Sequence, residues 1–349
     1  MATRRIAAFD IAKGVAMLAV IVGHSDPIGV SEGVRDFCFS FHMPLFFIVA
    51  GYFCHPDVRP DVAYARKNLR ALVAPYAITC CLIIALTCLK YLLFDPGAVG
   101  PSAWSLLVAS LYGAGAQVQG MPAGIGNIGA IWFLLALFWA RIFLAGANAT
   151  PCPLAMVAGL FVAGVWVDAF WAPWSIQAGM CATAFLYIGQ KVRQLDLFAP
   201  GRIPALMWAT MLGVWLYCGV FYGKMYLVGS DFGQGPMDLV GSVCGTMCIV
   251  KGAMLLEARA PALVRPLDRI GVMTLPLLCA HIVEILVFPW PTAIRVLSSL
   301  PVPMWIPGLA LRCALIAALT LLLWALPRPV SGLFFPARRK AVAAPASAK

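Results

Sequence analysis

The sequence predicts an all-α fold, a polytopic bundle of transmembrane helices. Of the 349 residues, 62% are hydrophobic and only 11% are charged, and the mean hydropathy is +0.90. Soluble domains carry about 25% charged residues. Apolar runs of about the 20 residues that a helix needs to cross hydrocarbon recur along the whole chain. Together these observations predict an integral, multi-pass membrane protein.

The apolar runs predict ten spanning helices, which places both termini on the same side of the membrane. The short segment 102–118, within the long loop 95–127, is expected to be interfacial or re-entrant. We expect one membrane domain over 1–335 and a disordered cytoplasmic tail over 336–349, which has no apolar periodicity. The predicted spans are 6–25, 36–54, 72–94, 128–146, 153–171, 173–190, 204–223, 237–257, 271–290 and 305–326.

The distribution of basic residues predicts the orientation. Cytoplasmic loops carry an excess of Lys and Arg, so the strongly positive face is expected to be cytoplasmic and both termini with it. The net charge of +11 therefore follows the topology and does not indicate a nucleic-acid partner. No small-residue cleavage site follows the first apolar run, so we expect that run to remain as an anchor. The opposite face has only Arg35, Lys90, Lys224 and Arg295.

The first apolar run contains three ionisable residues, Asp10, Lys13 and His24. His24 follows Lys13 by eleven positions, so the two share a helix face about 16 Å apart. Asp10 can pair with Lys13 at i,i+3. Charged groups in a span cost several kcal/mol and mark functional sites, and neutral imidazole suits a general base. The alternative is a structural ion pair with an interfacial histidine.

A second histidine, His42, lies in the run Ser40-Phe-His-Met-Pro-Leu-Phe-Phe near the outer end of the second predicted span. His24 is expected at a similar depth in the neighbouring span. A site shared by His24 and His42 is therefore the favoured interpretation, and a hydrogen-bonded histidine at a helix end is the alternative.

The second cytoplasmic loop is basic, with Arg66, Lys67 and Arg70. Lys67 and Arg70 share one helix face at i,i+3 and could hold a pyrophosphate. The alternative is positive-inside anchoring to lipid phosphates.

The ninth predicted span carries Thr274 and His281, which lie two turns apart on one helix face, and Glu284 one turn further out. Two interpretations of His281 are open: a residue of a functional site, or a partner in a helix–helix hydrogen bond. Lys251 and Arg312 lie well inside apolar runs and must face protein or water; the sequence does not identify their partners.

These blocks together resemble the acyltransferase-3 family of integral membrane acyltransferases. Asp10-Ile-Ala-Lys13-Gly through Gly23-His24 resembles the family's Arg/Lys-x10-His signature. Ser40 to Tyr52 resembles its FHMPLFF…SGY block, with Ala50 in place of serine. The remaining matches are Lys67-x-x-Arg70 (lysine in place of the first arginine), Ile131-Trp132-Phe133-Leu134, and Gly271 through His281 with Leu278 where an aromatic is common.

Within the family, the likeness is closest to the sugar O-acetyltransferases related to fucose 4-O-acetylase. The resemblance implies a bacterial inner-membrane enzyme that takes an acyl group, usually from cytoplasmic acetyl-CoA, and moves it to a hydroxyl of a cell-envelope or exported glycan. It implies His24 as the catalytic residue. An acyl-histidine relay through His24 and transfer of succinyl remain open alternatives.

On this interpretation, each block has an expected role. Arg66, Lys67 and Arg70 hold the CoA phosphates, Lys13 is held by Asp10 and lines the donor channel, and His42 orients the acceptor or stabilises the oxyanion. Substrate contacts are expected from Trp132, Thr274, His281 and Glu284.

Two other classes of function remain as alternatives. A transporter or flippase of a polar or glycan substrate also needs intramembrane charges, although we find no internal repeat of the kind that transporters use. A sensory or scaffold membrane protein is the third class, and no soluble output domain accompanies the spans. The expected partners are the hydroxylated acceptor and membrane lipids. No metal is expected, because the sequence has no C-x-x-C pair.

Overall fold

In the computed structural model, the chain is a bundle of α-helices. The structure describes residues 6–166, 170–222 and 225–335, and the predicted tail lies outside them. Within these ranges the only β-structure is an isolated bridge between Tyr226 and Asp231. The helices are α1 (Ala7–Gly23), α2 (Glu32–Phe39), α3 (His42–Tyr52), α4 (Val62–Asn68), α5 (Ala74–Phe94), α6 (Val99–Tyr112), α7 (Trp132–Asn148), α8 (Pro153–Trp166), α9 (Ile176–Gln194), α10 (Ala205–Tyr217), α11 (Pro236–Arg259), α12 (Pro261–Val272), α13 (Thr274–Val287), α14 (Trp290–Leu297), α15 (Trp305–Ala325) and α16 (Arg328–Phe334).

Among the described residues, five helical segments are long and apolar enough to cross a membrane, or six if the bent pair α12–α13 is one span. Every predicted apolar run coincides with a helix, but several of these helices are short or broken. α1 has 17 residues, α8 has 14, and α12 meets α13 at 68°. The count of ten spans and the side of the termini therefore stay predictions.

The outer surface of the bundle is apolar. In α15 only 28% of the most apolar window is buried inside the protein, and Leu321, Leu322 and Trp324 are all exposed. Exposing large apolar side chains to water costs free energy, whereas exposing them to the hydrocarbon of a membrane does not. This surface fits an integral membrane protein.

Glycines allow two pairs of helices to approach closely. A Cβ on Gly51 of α3 would overlap the carbonyl oxygen of Leu186, and a Cβ on Gly189 of α9 would overlap that of Ile48. At the crossing of α1 and α12, a Cβ on Gly271 would overlap the carbonyl oxygen of Asp10. Small residues at such crossings let helix backbones pack together where lipid supplies no hydrophobic driving force.

The second predicted span is divided into α2 and α3 by a break at Ser40 and Phe41, and His42 begins α3. α3 runs antiparallel to α1: Phe39 lies between the rings of His24 and His42, whereas Phe53, just beyond α3, contacts Phe9 near the start of α1. The C-terminal end of α1 therefore faces the N-terminal end of α3.

We expect Gly51→Ala and Gly189→Ala each to destabilise the protein by about 1–3 kcal/mol, because the added methyl overpacks the α3–α9 crossing. The measurement is the thermal unfolding midpoint in detergent. Gly213→Ala is the matched control, since no atom lies within 4 Å of a Cβ at that helical glycine. Equal midpoints for all three variants would contradict the assigned close approach.

Candidate active site

A cavity of about 590 Å³ lies between α1, α2, α3, α7 and α13 and the segment 225–228. Lys13 lines one end of it and His24 the other, separated by eleven residues of α1, a rise of about 16 Å. Most of the wall is apolar. The polar side chains that line it are those of Lys13, His24, Asp26, Arg35, His42, Asn127, Trp132, Arg141, Tyr226 and Thr274.

His24 caps the C-terminus of α1, and its ring is oriented by its own helix. Nδ1 lies 2.9 Å from the carbonyl oxygen of Val20. A carbonyl can only accept, so Nδ1 carries the proton of the neutral ring and Nε2 keeps its lone pair. The ring is therefore held in the tautomer that a general base or a nucleophile requires.

His42 lines the same cavity and is held in the same way. Its Nδ1 lies 2.8 Å from the carbonyl oxygen of Cys38, one turn earlier. The ring of Phe39 contacts both imidazoles, with its centroid 5.3 Å from that of His24 and 5.0 Å from that of His42. The structure therefore places both histidines at one end of the cavity, as the sequence predicts.

A buried ionic network lies behind His24. The ring of His281 contacts that of His24 at a centroid distance of 5.6 Å, and its Nδ1 is 3.2 Å from Oε2 of Glu284. Oε1 of Glu284 is 3.4 Å from Nε of Arg312. All three side chains of the network are almost completely enclosed.

Arg312 connects this network to the backbone of the site. Its Nη1 donates to the carbonyl oxygen of His24 and, over 3.2 Å, to Oγ of Ser25. The guanidinium also lies 4.7 Å from the ring centroid of Trp290. A cation at the C-terminus of α1 is favourable for the unpaired carbonyls and the helix dipole there. α15 thereby fixes the position of His24.

The predicted site residues divide between the cavity wall and the layers behind it. Lys13 lines the cavity and pairs with Asp10 over 2.7 Å, and Trp132 and Thr274 also line it. His281 and Glu284, in contrast, do not reach the wall. The structure places them behind His24, away from the cavity wall, so their expected role as substrate contacts stays a prediction.

Arg66, Lys67 and Arg70 are exposed on α4 and on the π-helical turn Leu69–Val73, and they do not line the cavity. Asn68, which lies between Lys67 and Arg70 in the chain, is 3% exposed. Its Oδ1 accepts a hydrogen bond of 3.0 Å from Nη1 of Arg141, which does line the cavity. The basic loop thus contacts the cavity through Asn68.

Sequence reasoning did not identify five of the polar groups that line the cavity, Asp26, Arg35, Asn127, Arg141 and Tyr226. Arg141 was visible only as one of many cations on the positive face. Arg35 and Tyr226 lie at the His24 end, where Arg35 is paired with carboxylates. Lys251, whose partner the sequence left open, lies 5.5 Å from the ring centroid of Trp208.

Comparison with protein families matches residues 6–326 to the acyltransferase-3 family, described as an acyltransferase domain. This match covers nearly the whole chain, so the protein belongs to that family and is a membrane acyltransferase. Neither the comparison with curated proteins nor that with solved structures gave a significant match.

We expect Arg312→Met to destabilise the protein by about 3–5 kcal/mol, because it leaves the carboxylate of Glu284 buried without its cation. The double variant Arg312→Met/Glu284→Gln removes both charges and is expected to recover much of the loss. Thermal unfolding of both in detergent is the measurement. A double variant no more stable than Arg312→Met would contradict the pairing.

Proposed function

We propose that this membrane acyltransferase moves an acetyl group from cytoplasmic acetyl-CoA to a hydroxyl of a cell-envelope or exported glycan, with His24 as the general base. The observation that carries the proposal is the cavity that joins the Lys13 end of α1 to His24 and His42. A transferase that works across a membrane needs one passage in which a donor from one side can meet an acceptor from the other.

The tautomer of His24 supports direct transfer. With Nδ1 bound to Val20, Nε2 takes the proton of the acceptor hydroxyl as its oxygen attacks the thioester carbonyl carbon. The C–O bond forms and the C–S bond breaks. The CoA thiolate leaves and takes the proton back from the imidazolium, so that the products are the acetyl ester and the free thiol.

The length of the cavity matches the donor. An extended phosphopantetheine arm spans on the order of 15–20 Å, and Lys13 and His24 are separated by a rise of about 16 Å. An acetyl thioester that enters beside Lys13 can therefore reach His24 while its phosphates stay at the other end. The pairing of Lys13 with Asp10 keeps the lysine fixed along this path.

The opposite end of the cavity has the character of a sugar site. Asp26, Asn127 and Tyr226 line the cavity. Asp26 follows His24 by two residues, the ring of Tyr226 contacts Phe39, and Phe39 contacts both histidines. Carboxylate and amide groups can bind sugar hydroxyls, while aromatic faces pack against the sugar ring. His42 is the residue that would orient the acceptor or stabilise the developing oxyanion.

We expect His24→Ala to reduce acetyl transfer by at least about 10²- to 10⁴-fold, the usual contribution of a general base, while the protein stays inserted and abundant. The measurement is label transfer from acetyl-CoA in membranes, together with mass spectrometry of envelope glycans for loss of acetyl. His55→Ala is the control, since His55 is exposed and does not line the cavity. Near-normal transfer by His24→Ala would refute the assignment.

We expect the double variant Lys67→Ala/Arg70→Ala to raise the KM for acetyl-CoA and to leave kcat nearly unchanged, because exposed cations contribute to the capture of an anionic donor. Arg202→Ala/Arg259→Ala removes the same charge from exposed positions elsewhere and should leave KM unchanged. An unchanged KM in both double variants would favour the lipid-anchoring interpretation of the loop.

A further inference from the structure

We propose that Arg141, oriented by Asn68, binds the pyrophosphate of the acyl donor inside the cavity. This inference rests on the proposed use of acetyl-CoA and adds a binding residue to it. It places the inner phosphates of the donor within the membrane-embedded cavity, while the exposed cations of the basic loop remain outside.

The contacts of α7 place Arg141 at the end of the cavity remote from His24. Near the start of α7, Gly129 lies close to the side chain of Ile282, next to His281, and the ring of His281 contacts His24. Arg141 is nine positions after Trp132, a rise of about 13 Å, and it lies near Cys54, beyond the far end of α3. Lys13 and Arg141 therefore line the same end.

Arg141 differs from the other cavity-lining cations because the described residues provide no counter-ion for it. Lys13 is paired with Asp10, and Arg35 is paired with Asp26, Glu32 and Asp36. Over the described part of the chain, no carboxylate lies within ion-pair distance of Arg141. Its Nε is also buried without a hydrogen-bond partner there.

An uncompensated cation in a low-dielectric wall is costly, and an anionic ligand removes that cost. The guanidinium offers several N–H donors in a planar fork, which suits bidentate binding of phosphate oxygens. Arg141 itself lines the cavity, where such a ligand would enter. The guanidinium of Arg141 is therefore suited to binding a phosphate-bearing ligand.

Asn68 orients Arg141 without neutralising it. Its Oδ1 accepts from Nη1 over 3.0 Å, and its Nδ2 donates to the carbonyl oxygen of Tyr64 over 2.9 Å. The second bond fixes the amide so that its oxygen faces the arginine. An aspartate at this position would pair with Arg141 and compete with the ligand, whereas the amide leaves the positive charge available.

The position of Arg141 also fits the length of the donor. Lys13, at the same end, is about 16 Å from His24 along α1, which one phosphopantetheine arm can span. Asn68 lies between the exposed Lys67 and Arg70 in the chain, and its hydrogen bond to Arg141 links the basic loop to the cavity wall. A membrane lipid phosphate is the competing source of the same anion.

The test compares ligands with and without the pyrophosphate. We expect Arg141→Met to raise the Kd of CoA and the KM of acetyl-CoA by about 10- to 100-fold, as the loss of hydrogen bonds to a charged group implies. The KM and kcat for S-acetylpantetheine, which has no phosphate, should stay unchanged. Binding is measured without catalysis, as the thermal stabilisation of detergent-purified protein by CoA and by pantetheine.

Asn68→Asp is the second variant, because it keeps Arg141 and its shape but supplies a carboxylate. It should weaken CoA binding in the same way and leave the response to pantetheine intact, and it keeps the test decisive if Arg141→Met fails to fold. Arg193→Met is the matched control: Arg193 is an arginine bonded to a carbonyl, that of Tyr52, and does not line the cavity. It should bind CoA like the wild type.

Two results would overturn the inference. One is an unchanged Kd for CoA in Arg141→Met and Asn68→Asp. The other is a loss of co-purified phospholipid from Arg141→Met with no change in the KM for acetyl-CoA, which would assign the site to a lipid. Failure of the wild type to bind CoA or to transfer acetyl would instead refute the proposed function, and the two failures are thereby distinguished.

Discussion

The burial of one guanidinium determines the geometry of the His24 end of the cavity. Arg312 is 2% exposed, and a charge at that depth needs an opposite charge and hydrogen-bond acceptors close to it. Glu284 supplies the charge, and the carbonyl of His24 and the hydroxyl of Ser25 supply acceptors. Glu284 lies on α13, Arg312 lies on α15, and His24 and Ser25 follow directly after α1. The contacts of Arg312 therefore hold three helices relative to each other and set the position of His24.

The remaining walls depend on close contact between helix backbones. Glycines at the α3–α9 and α1–α12 crossings remove the side chains that would hold those helices apart. Helices brought together in this way enclose polar groups together with an apolar core, while many other large apolar side chains face outward. The resulting cavity is polar at both ends and apolar between them, which is the pattern expected for a ligand with a charged end and a flexible arm.

The neighbours of each cavity-lining cation determine whether its charge is neutralised. Lys13 and Arg35 are neutralised by carboxylates, so they contribute shape and orientation more than net charge. Arg141 keeps its charge because its partner is an amide. The identity of the neighbouring acceptor, carboxylate or amide, therefore decides which cation is available to an anionic ligand.

The sequence by itself determined the helical class, the contact of Asp10 with Lys13, and the common depth of His24 and His42, because hydrophobicity and helical periodicity are local properties. It could not show that Arg312 meets His24, 288 positions away, or that Arg141 meets Asn68. Nor could it show that His281 and Glu284, predicted as substrate contacts, lie behind His24. Only the tertiary structure decided these points, since the partner of a buried charge depends on which helices pack together, and that depends on contacts between distant parts of the chain.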